Sequence, residues 1–327
     1  MPAKLKTAVV GATGYSGFEL TRILLRHPLV ETPELLSRSA EGNANLADLF
    51  PALSGNGGYP LKPLSWSALK VQGVKLLFLA TPHEASRALV PEAVSNGLRV
   101  IDLSGAWRIK NADYRAVYGL PELNRDKIAG ATVVANPGCY ATTVILALAP
   151  LLKAQVVDRS KGIISDSKSG VSGAGKEPTS RTHFVSVADN LSAYSVFGHR
   201  HLGEILEQLD LNDGELTFTP HLLPIPRGIL STIYLHLKTE TTAAQIEAIF
   251  RDFYQGKRWV RVFANPKLPE IQFSVNTNYC DLGFALAKDG RRLIVVSCED
   301  NLLKGAAGQA VQNINLMYGF DEAEGLQ

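Results

Sequence analysis

The sequence predicts an α/β protein in which a doubly wound, Rossmann-type parallel sheet is joined to an α+β domain with a mixed or antiparallel sheet. Three observations carry this reading. Short apolar runs alternate with helical stretches through the first part of the chain, a glycine-patterned turn follows the first of those runs, and beyond about Pro150 β-rich segments cluster instead of alternating.

In chain order, Leu5–Val10 reads as a buried strand and Phe18–Leu25 as the helix that follows it. A second strand ends near Leu35-Leu36. Leu76–Ala80 is a third apolar run, followed by a helix over Glu84–Ser95, and Val100–Leu103 and Thr132–Ala135 complete the set. In such a sheet ligands bind beyond the carboxyl ends of the strands, so the residues just after each run are the ones to inspect. Gly162–Ser167, Leu216–Thr219, Thr232–Lys238, Arg258–Phe263 and Arg292–Cys298 read as strands of the second domain. Leu202–Leu209 and Ala243–Tyr254 read as its helices, and Asn301–Met317 as a long terminal helix. These assignments place one domain over residues 1–138 with 301–327 and another over 139–300.

The 327 residues carry 33 basic and 31 acidic side chains, a formal net charge of +2, which gives no general nucleic-acid or membrane surface. The apolar run Val144–Leu152 contains Pro150 and is too short to span a bilayer. The segment from Met1 through Lys6 lacks the pattern of a secretory leader, so the cytoplasm is the expected location. Three irregularly spaced cysteines, Cys139, Cys280 and Cys298, argue against a disulfide framework.

Gly11-Ala12-Thr13-Gly14-Tyr15-Ser16-Gly17 follows the first strand with G-x-x-G-x-x-G spacing. Glycines there permit a tight turn and close backbone approach, while the following helix N-terminus faces a pyrophosphate. Gly11, Thr13, Gly14, Tyr15, Ser16 and Gly17 are therefore the expected dinucleotide cradle. After the second strand comes Ser37-Arg38-Ser39, where an NAD site would place Asp or Glu for the ribose 2′-hydroxyl. An arginine between two hydroxyls suits a 2′-phosphate instead, which selects NADP(H).

Asn136-Pro137-Gly138-Cys139-Tyr140-Ala141-Thr142-Thr143 follows another strand and leads into a helix. The turn leaves Cys139 at a helix N-terminus, whose partial positive charge favours thiolate and whose N–H groups suit an oxyanion. Cys280 and Cys298 read as buried structural cysteines. In His199-Arg200-His201, alternation along an extended segment puts both imidazoles on one face. Two histidines without a nearby Cys or Asp pair do not complete a zinc site, so no metal is expected. One imidazole then serves as base for Cys139, and spacing leaves open which.

Taken together these segments resemble the N-acetyl-gamma-glutamyl-phosphate reductases of arginine biosynthesis, relatives of aspartate-semialdehyde dehydrogenase and, more distantly, glyceraldehyde-3-phosphate dehydrogenase. The likeness extends over nearly the whole chain. It rests on Gly11–Gly17, Asp102–Arg108, Tyr118–Glu122, Asn136–Thr142, Ser169–Lys176, His199–His201, Pro224–Gly228 and Glu299–Ala310. Trp107 stands where a Phe is expected, which keeps an aromatic beside Arg108.

The resemblance implies that Cys139 attacks an acyl phosphate and expels phosphate, giving a thioester that hydride from NADPH reduces. The thiohemiacetal then collapses to N-acetylglutamate 5-semialdehyde. It assigns His199 as acid/base and His201, Arg108, Lys176 and Ser172 as substrate contacts, with the loop Ser169–Lys176 closing over substrate and ordering on binding. Asn301 falls near the nicotinamide, and the enzyme is expected as a homo-oligomer, dimer or tetramer. The rival expectations are reduction of a related acyl phosphate, carrier-bound aminoadipate phosphate or aspartyl phosphate, and a non-catalytic dinucleotide sensor. The loop's Lys176-Glu177 breaks the G-x-x-x-x-G-K-[ST] pattern, which disfavours nucleoside triphosphate hydrolysis.

Overall fold

Four consecutive small or β-branched residues, Thr7–Val10, form strand β1 of a computed structural model, and all four are buried. The structure describes residues 3–37, 44–55, 58–110 and 116–327. They belong to two compact units, one made of Met1–Pro137 and Ala306–Gln327, the other of Gly138–Gly305. Asn301–Gly305 thus lie in the second unit.

In the first unit β2 (Glu34–Leu36), β3 (Leu61–Lys62), β4 (Leu76–Leu79), β5 (Arg99–Asp102), β6 (Val117–Tyr118) and β7 (Val133–Ala135) join β1 in a seven-stranded sheet of order β3-β2-β1-β4-β5-β7-β6. Every pairing is parallel. Leu76–Leu79 is wholly buried, as expected of a strand covered on both faces. In register, Val10 lies beside Leu36 and Leu79, and Asp102 beside Leu79 and Ala135. The residues that follow, Gly11, Ser37, Ala80, Leu103 and Asn136, therefore leave the sheet along one edge. Strand order reverses about β1 and β4, which is where this architecture opens its ligand crevice.

The terminal segment completes this unit. It does not form one helix from Asn301: Leu303–Ala307 makes a wider π turn, and the α-helix is Gly308–Tyr318. Asp300 causes the delay by accepting Leu302 N–H and Leu303 N–H at its carboxylate, while Gly305 N–H reaches the Asp300 carbonyl. Within the first unit, the helix presents a buried polar face to the sheet side. Gln309 and Asn313 donate to the Gly119 carbonyl, Asn315 meets His27 at 2.9 Å, and Arg99 donates to the Met317 carbonyl.

The second unit holds β8 (Ile163–Gly170), β9 (Ser192–Ala193), β10 (Leu216–Leu223), β11 (Ile229–His236), β12 (Val260–Val262), β13 (Cys280–Leu286) and β14 (Arg292–Glu299). Their order is β12-β13-β14-β11-β8-β10-β9, with parallel and antiparallel pairs mixed. β10 and β11 alternate buried and part-exposed residues, so this sheet is covered more heavily on one face. The helix Cys139–Lys153 packs on that face against β11 and β14, with Tyr140–Leu151 buried throughout. Thr143 ties it down: its hydroxyl meets Ser231 at 2.8 Å, and Ser231 meets Ser167 at 2.8 Å, all buried. Among the described residues no helix is long and apolar enough to cross a membrane.

Candidate active site

The glycine turn lies at the carboxyl edge of the first sheet and opens a twelve-residue helix, Tyr15–Arg26, capped by Gly14 in extended conformation. No side chain caps it, so its first N–H groups point outward from the turn without a protein side-chain acceptor at the cap. A Cβ on Gly11 would sit 2.3 Å from the Ala80 carbonyl oxygen, and one on Gly17 would sit 2.1 Å from the Gly11 oxygen. Both positions demand glycine for close packing. At Gly14 a Cβ would meet only the Gly11 oxygen, at an ordinary 3.7 Å, which leaves an opening through which a pyrophosphate can approach the backbone. Thr13, Tyr15 and Ser16 flank that opening. The residues present therefore fit a dinucleotide. Ser37 follows β2, its N–H bonded to the Lys62 carbonyl; Arg38 and Ser39 lie outside the described residues.

Arg108 is buried in the first unit and is no surface residue. Its Nε donates to the Asn136 carbonyl (2.8 Å) and its Nη2 to the Leu103 carbonyl (2.9 Å). The loop that carries it is braced by Asp102, whose carboxylate accepts from Ser86 Oγ, Ser104 N–H and Ser104 Oγ at 2.8, 3.0 and 2.7 Å. Burial pushes the Asp102 carboxyl up from its ordinary range, and those donors act against it.

In the second unit Cys139 is the first residue of its fifteen-residue helix, and Gly138 caps it without a side-chain bond. Gly305 presses against it: a Cβ there would meet Cys139 Cβ at 2.6 Å and Glu299 Oε1 at 2.8 Å. Cys280 and Cys298 are fully buried strand residues, and burial pushes both thiols up.

The histidines come together, although by a different route from strand alternation. Phe197 adopts φ +58° and the chain turns through Gly198, so His199–His201 is a turn, with His201 in helical conformation at the start of Leu202–Leu209. The ring centroids lie 4.7 Å apart, edge to face. His201 N–H donates to His199 Nδ1 at 3.2 Å, and Tyr194 Oη lies 3.4 Å from His199 Nε2. Burial, then the charge of Arg200, lowers the His199 pKa to about 4, so the ring is neutral at neutral pH. His201 is more deeply buried, with Nε2 3.9 Å from Glu204 Oε1.

Four residues that the sequence reading passed over shape this site. Tyr140 packs edge-on against both imidazoles and donates to the His221 carbonyl at 2.7 Å. Burial pushes its phenol far up, with Tyr194 and the Cys139 charge adding and Ser169 opposing. Tyr194 is pushed up to about 12, chiefly by burial, with the Cys139 charge also raising it. Cys139 therefore shares an electrostatic environment with the tyrosine that touches His199. Glu204, buried, accepts Gly138 N–H at 3.1 Å. Its sequence signal was the i, i+3 spacing from His201 on a helix. Tyr140 and Gly305 stood inside the segments that carry the resemblance without a role of their own, whereas Tyr194 gave no signal beyond its residue type.

The glycine-rich segment Ser169–Lys176 is only partly loop-like. Ser169 and Gly170 belong to β8, and Gly170, Val171 and Ser172 N–H groups bond to the carbonyls of Gly228, Ile225 and Pro226. Its first half is held by these ties, and Lys176 lies exposed beyond them. Asn301 is buried, accepting Gly228 N–H (2.7 Å) and donating to Ser172 Oγ (2.9 Å), so it joins two of the expected contact segments. Among the described residues, no group of three or more His, Cys, Asp or Glu is arranged to hold a metal ion.

Comparison with known proteins agrees over both units. Residues 6–131 match the NAD-binding domain of semialdehyde dehydrogenases and residues 139–301 their dimerisation domain. N-acetyl-gamma-glutamyl-phosphate reductases are similar along their length. That of Geobacter metallireducens is 45% identical, over 99% of this chain and 98% of the relative. That of Desulforapulum autotrophicum is 42% identical with the same coverage, and that of Methanocaldococcus jannaschii 42% identical over 98% and 97%. Aspartate semialdehyde dehydrogenase II of Vibrio cholerae, complexed with ASA, superposes with a TM-score of 0.76 at 20% identity, covering 96% of this chain and 98% of that one. The NADP-bound enzyme of Candida albicans gives 0.72 at 16%, with the same coverage. At such identities these two establish the fold.

Proposed function

The chain belongs to the N-acetyl-gamma-glutamyl-phosphate reductase family, and we propose how its own residues carry the reaction. It is an NADP(H)-dependent oxidoreductase that reduces N-acetyl-gamma-glutamyl phosphate to N-acetylglutamate 5-semialdehyde and phosphate, a step of arginine biosynthesis. The observation that carries the residue assignment is Cys139 at the first turn of a long helix, in a site shared with Tyr194 and the His199–His201 pair.

Cys139 is the nucleophile, its thiolate favoured by the helix N-terminus. Attack on the acyl carbon forms the sulfur–carbon bond, and collapse of the tetrahedral species expels phosphate and leaves a thioester on Cys139. N–H groups of the helix's first turn stabilise the oxyanion. The cofactor's chemistry, when bound, is hydride donation to that thioester; Gly11, Thr13, Gly14, Tyr15, Ser16 and Gly17 hold its pyrophosphate, Ser37, Arg38 and Ser39 its 2′-phosphate, and Asn301 borders its nicotinamide. His199 is the acid/base partner, and His201, Arg108, Ser172 and Lys176 bind the substrate's anionic groups. The domains of this reading are 1–138 with 301–327 for the cofactor and 139–300 for catalysis and assembly.

The match to a dimerisation domain supports a homo-oligomer. We assign its isologous contact to the barer face of the second sheet, where the register neighbours Ile164 and Tyr234 are 49% and 41% exposed. A dimer or tetramer mass in light scattering at micromolar concentration agrees with this; a monomer overturns it.

The direct test follows NADPH formation from N-acetylglutamate semialdehyde, phosphate and NADP+. Phosphate-dependent turnover that collapses in Cys139→Ser supports the acyl-enzyme route. Activity only with another semialdehyde moves the substrate assignment, and retained turnover in Cys139→Ser overturns the nucleophile.

A further inference from the structure

His199 is held by groups whose hydrogen-bonding direction is fixed. A main-chain N–H is only a donor and a main-chain carbonyl only an acceptor, so a chain of bonds that begins on one and ends on the other has a single polarity. Such a chain runs through this site. His201 N–H points at His199 Nδ1 (3.2 Å), His199 Nε2 faces Tyr194 Oη (3.4 Å), Tyr194 Oη faces Tyr140 Oη (3.5 Å), and Tyr140 Oη faces the His221 carbonyl (2.7 Å). Tyr140 must donate to the carbonyl, leaving its oxygen to accept from Tyr194, whose own oxygen is then left to accept from His199.

We propose that Tyr194 is a positioning residue which, with the His201 main-chain N–H, fixes His199 as its Nε2–H tautomer and so presents the ring as a hydrogen-bond donor, with Tyr140 carrying the chain to the His221 carbonyl. This rests on His199 as the acid/base partner and settles which nitrogen carries the proton of its neutral ring. A neutral imidazole with Nδ1 already facing an N–H has its remaining proton on Nε2, on the Tyr194 side. Independent packing holds the arrangement together. Tyr140 and Phe218 lie edge-on to His199, with centroids 5.5 Å away in each case, and Arg181 caps the Tyr194 ring at 5.6 Å. The fold has therefore spent two tyrosine hydroxyls on the orientation of one imidazole, with neither phenol near ionising.

The tautomer is read directly by NMR of the full-length wild-type chain labelled with 15N-histidine. The His199→Asn variant assigns the signal among the seven histidines. A neutral Nε2–H ring at neutral pH is expected; an Nδ1–H ring or an imidazolium overturns the proposal. In Tyr194→Phe, mixed tautomers are expected, with kcat reduced ~10–100-fold and both KM values held within about twofold. A loss confined to KM overturns the positioning role. Because the chain is already cut, Tyr140→Phe/Tyr194→Phe should be no slower than Tyr194→Phe, whereas multiplying losses show that the tyrosines act separately and overturn the chain. Undiminished kcat in His199→Asn defeats the acid/base reading alone, since the wild-type spectrum is decided without turnover.

Discussion

Substituting Gly305 by Ala asks whether the nucleophile's position is set by the backbone that abuts it. The added Cβ would lie 2.6 Å from Cys139 Cβ and 3.2 Å from Cys139 Cα, against 3.4–4 Å for ordinary contact. Relief needs a displacement of about 1 Å, and neither neighbour yields easily: Glu299 Oε1 also stands only 2.8 Å from the added Cβ, and the Cys139 helix is pinned by Thr143. Misplacing a reacting atom by that distance costs roughly 100-fold in kcat. Overpacking costs ~1–3 kcal/mol of stability, and each kcal/mol lowers Tm by roughly 1–2 °C for a chain of this length. Iodoacetamide alkylation gives a second reading, because Cys280 and Cys298 are fully buried and Cys139 is the accessible thiol. Gly130→Ala is the control, a glycine with open space around it. Wild-type kcat and alkylation rate in Gly305→Ala would falsify the claim that this contact sets Cys139.

Three further outcomes follow from the geometry. The folded pKa of His199 lies at about 4, below the unfolded 6.5, so between them the unfolded chain binds more protons and stability rises with pH. The contribution is complete above 6.5 and is lost as pH falls toward 4; thermal melts across that window should slope less steeply in His199→Asn, and equal slopes refute the assignment. Gly17→Ala forces a Cβ to 2.1 Å from the Gly11 oxygen and should weaken NADPH binding at least ~10-fold by calorimetry, while leaving Cys139 alkylation at the wild-type rate. Arg108→Lys loses the fork that grips the Asn136 and Leu103 carbonyls and should raise KM for phosphate ~10-fold, and an unchanged KM argues that Arg108 only braces the loop.

Much of this molecule was legible because local pattern and tertiary demand agreed. Leu202–Leu209 and Ala243–Tyr254 have the predicted bounds, the second helped by a Thr242–Gln245 capping box. The strand–turn–helix passages at Gly11–Gly17 and Asn136–Cys139 carry glycine and proline where the backbone turns. What escaped is non-local. Strands β3 and β6 are two residues long and exist only through their neighbours' edges, so no periodicity announces them. The His199–His201 segment looked extended because alternation was its one local cue. Its true path depends on a left-handed Phe197, and the two rings meet because His201 starts a helix. Asn301–Met317 was compositionally one helix, yet the Asp300 carboxylate defers the α-helix to Gly308.

The division of the chain has a consequence for how the protein is made. Residues 138–305 are continuous and can condense as soon as they emerge, whereas the first unit needs partners that come from 306–327. On the ribosome, the strand bearing Arg99 waits 218 residues, roughly 10–45 s at ordinary elongation rates, for the Met317 carbonyl that accepts its guanidinium. His27 waits longer still for Asn315. The nascent dinucleotide sheet is thus a late-maturing partner to an early-maturing catalytic unit.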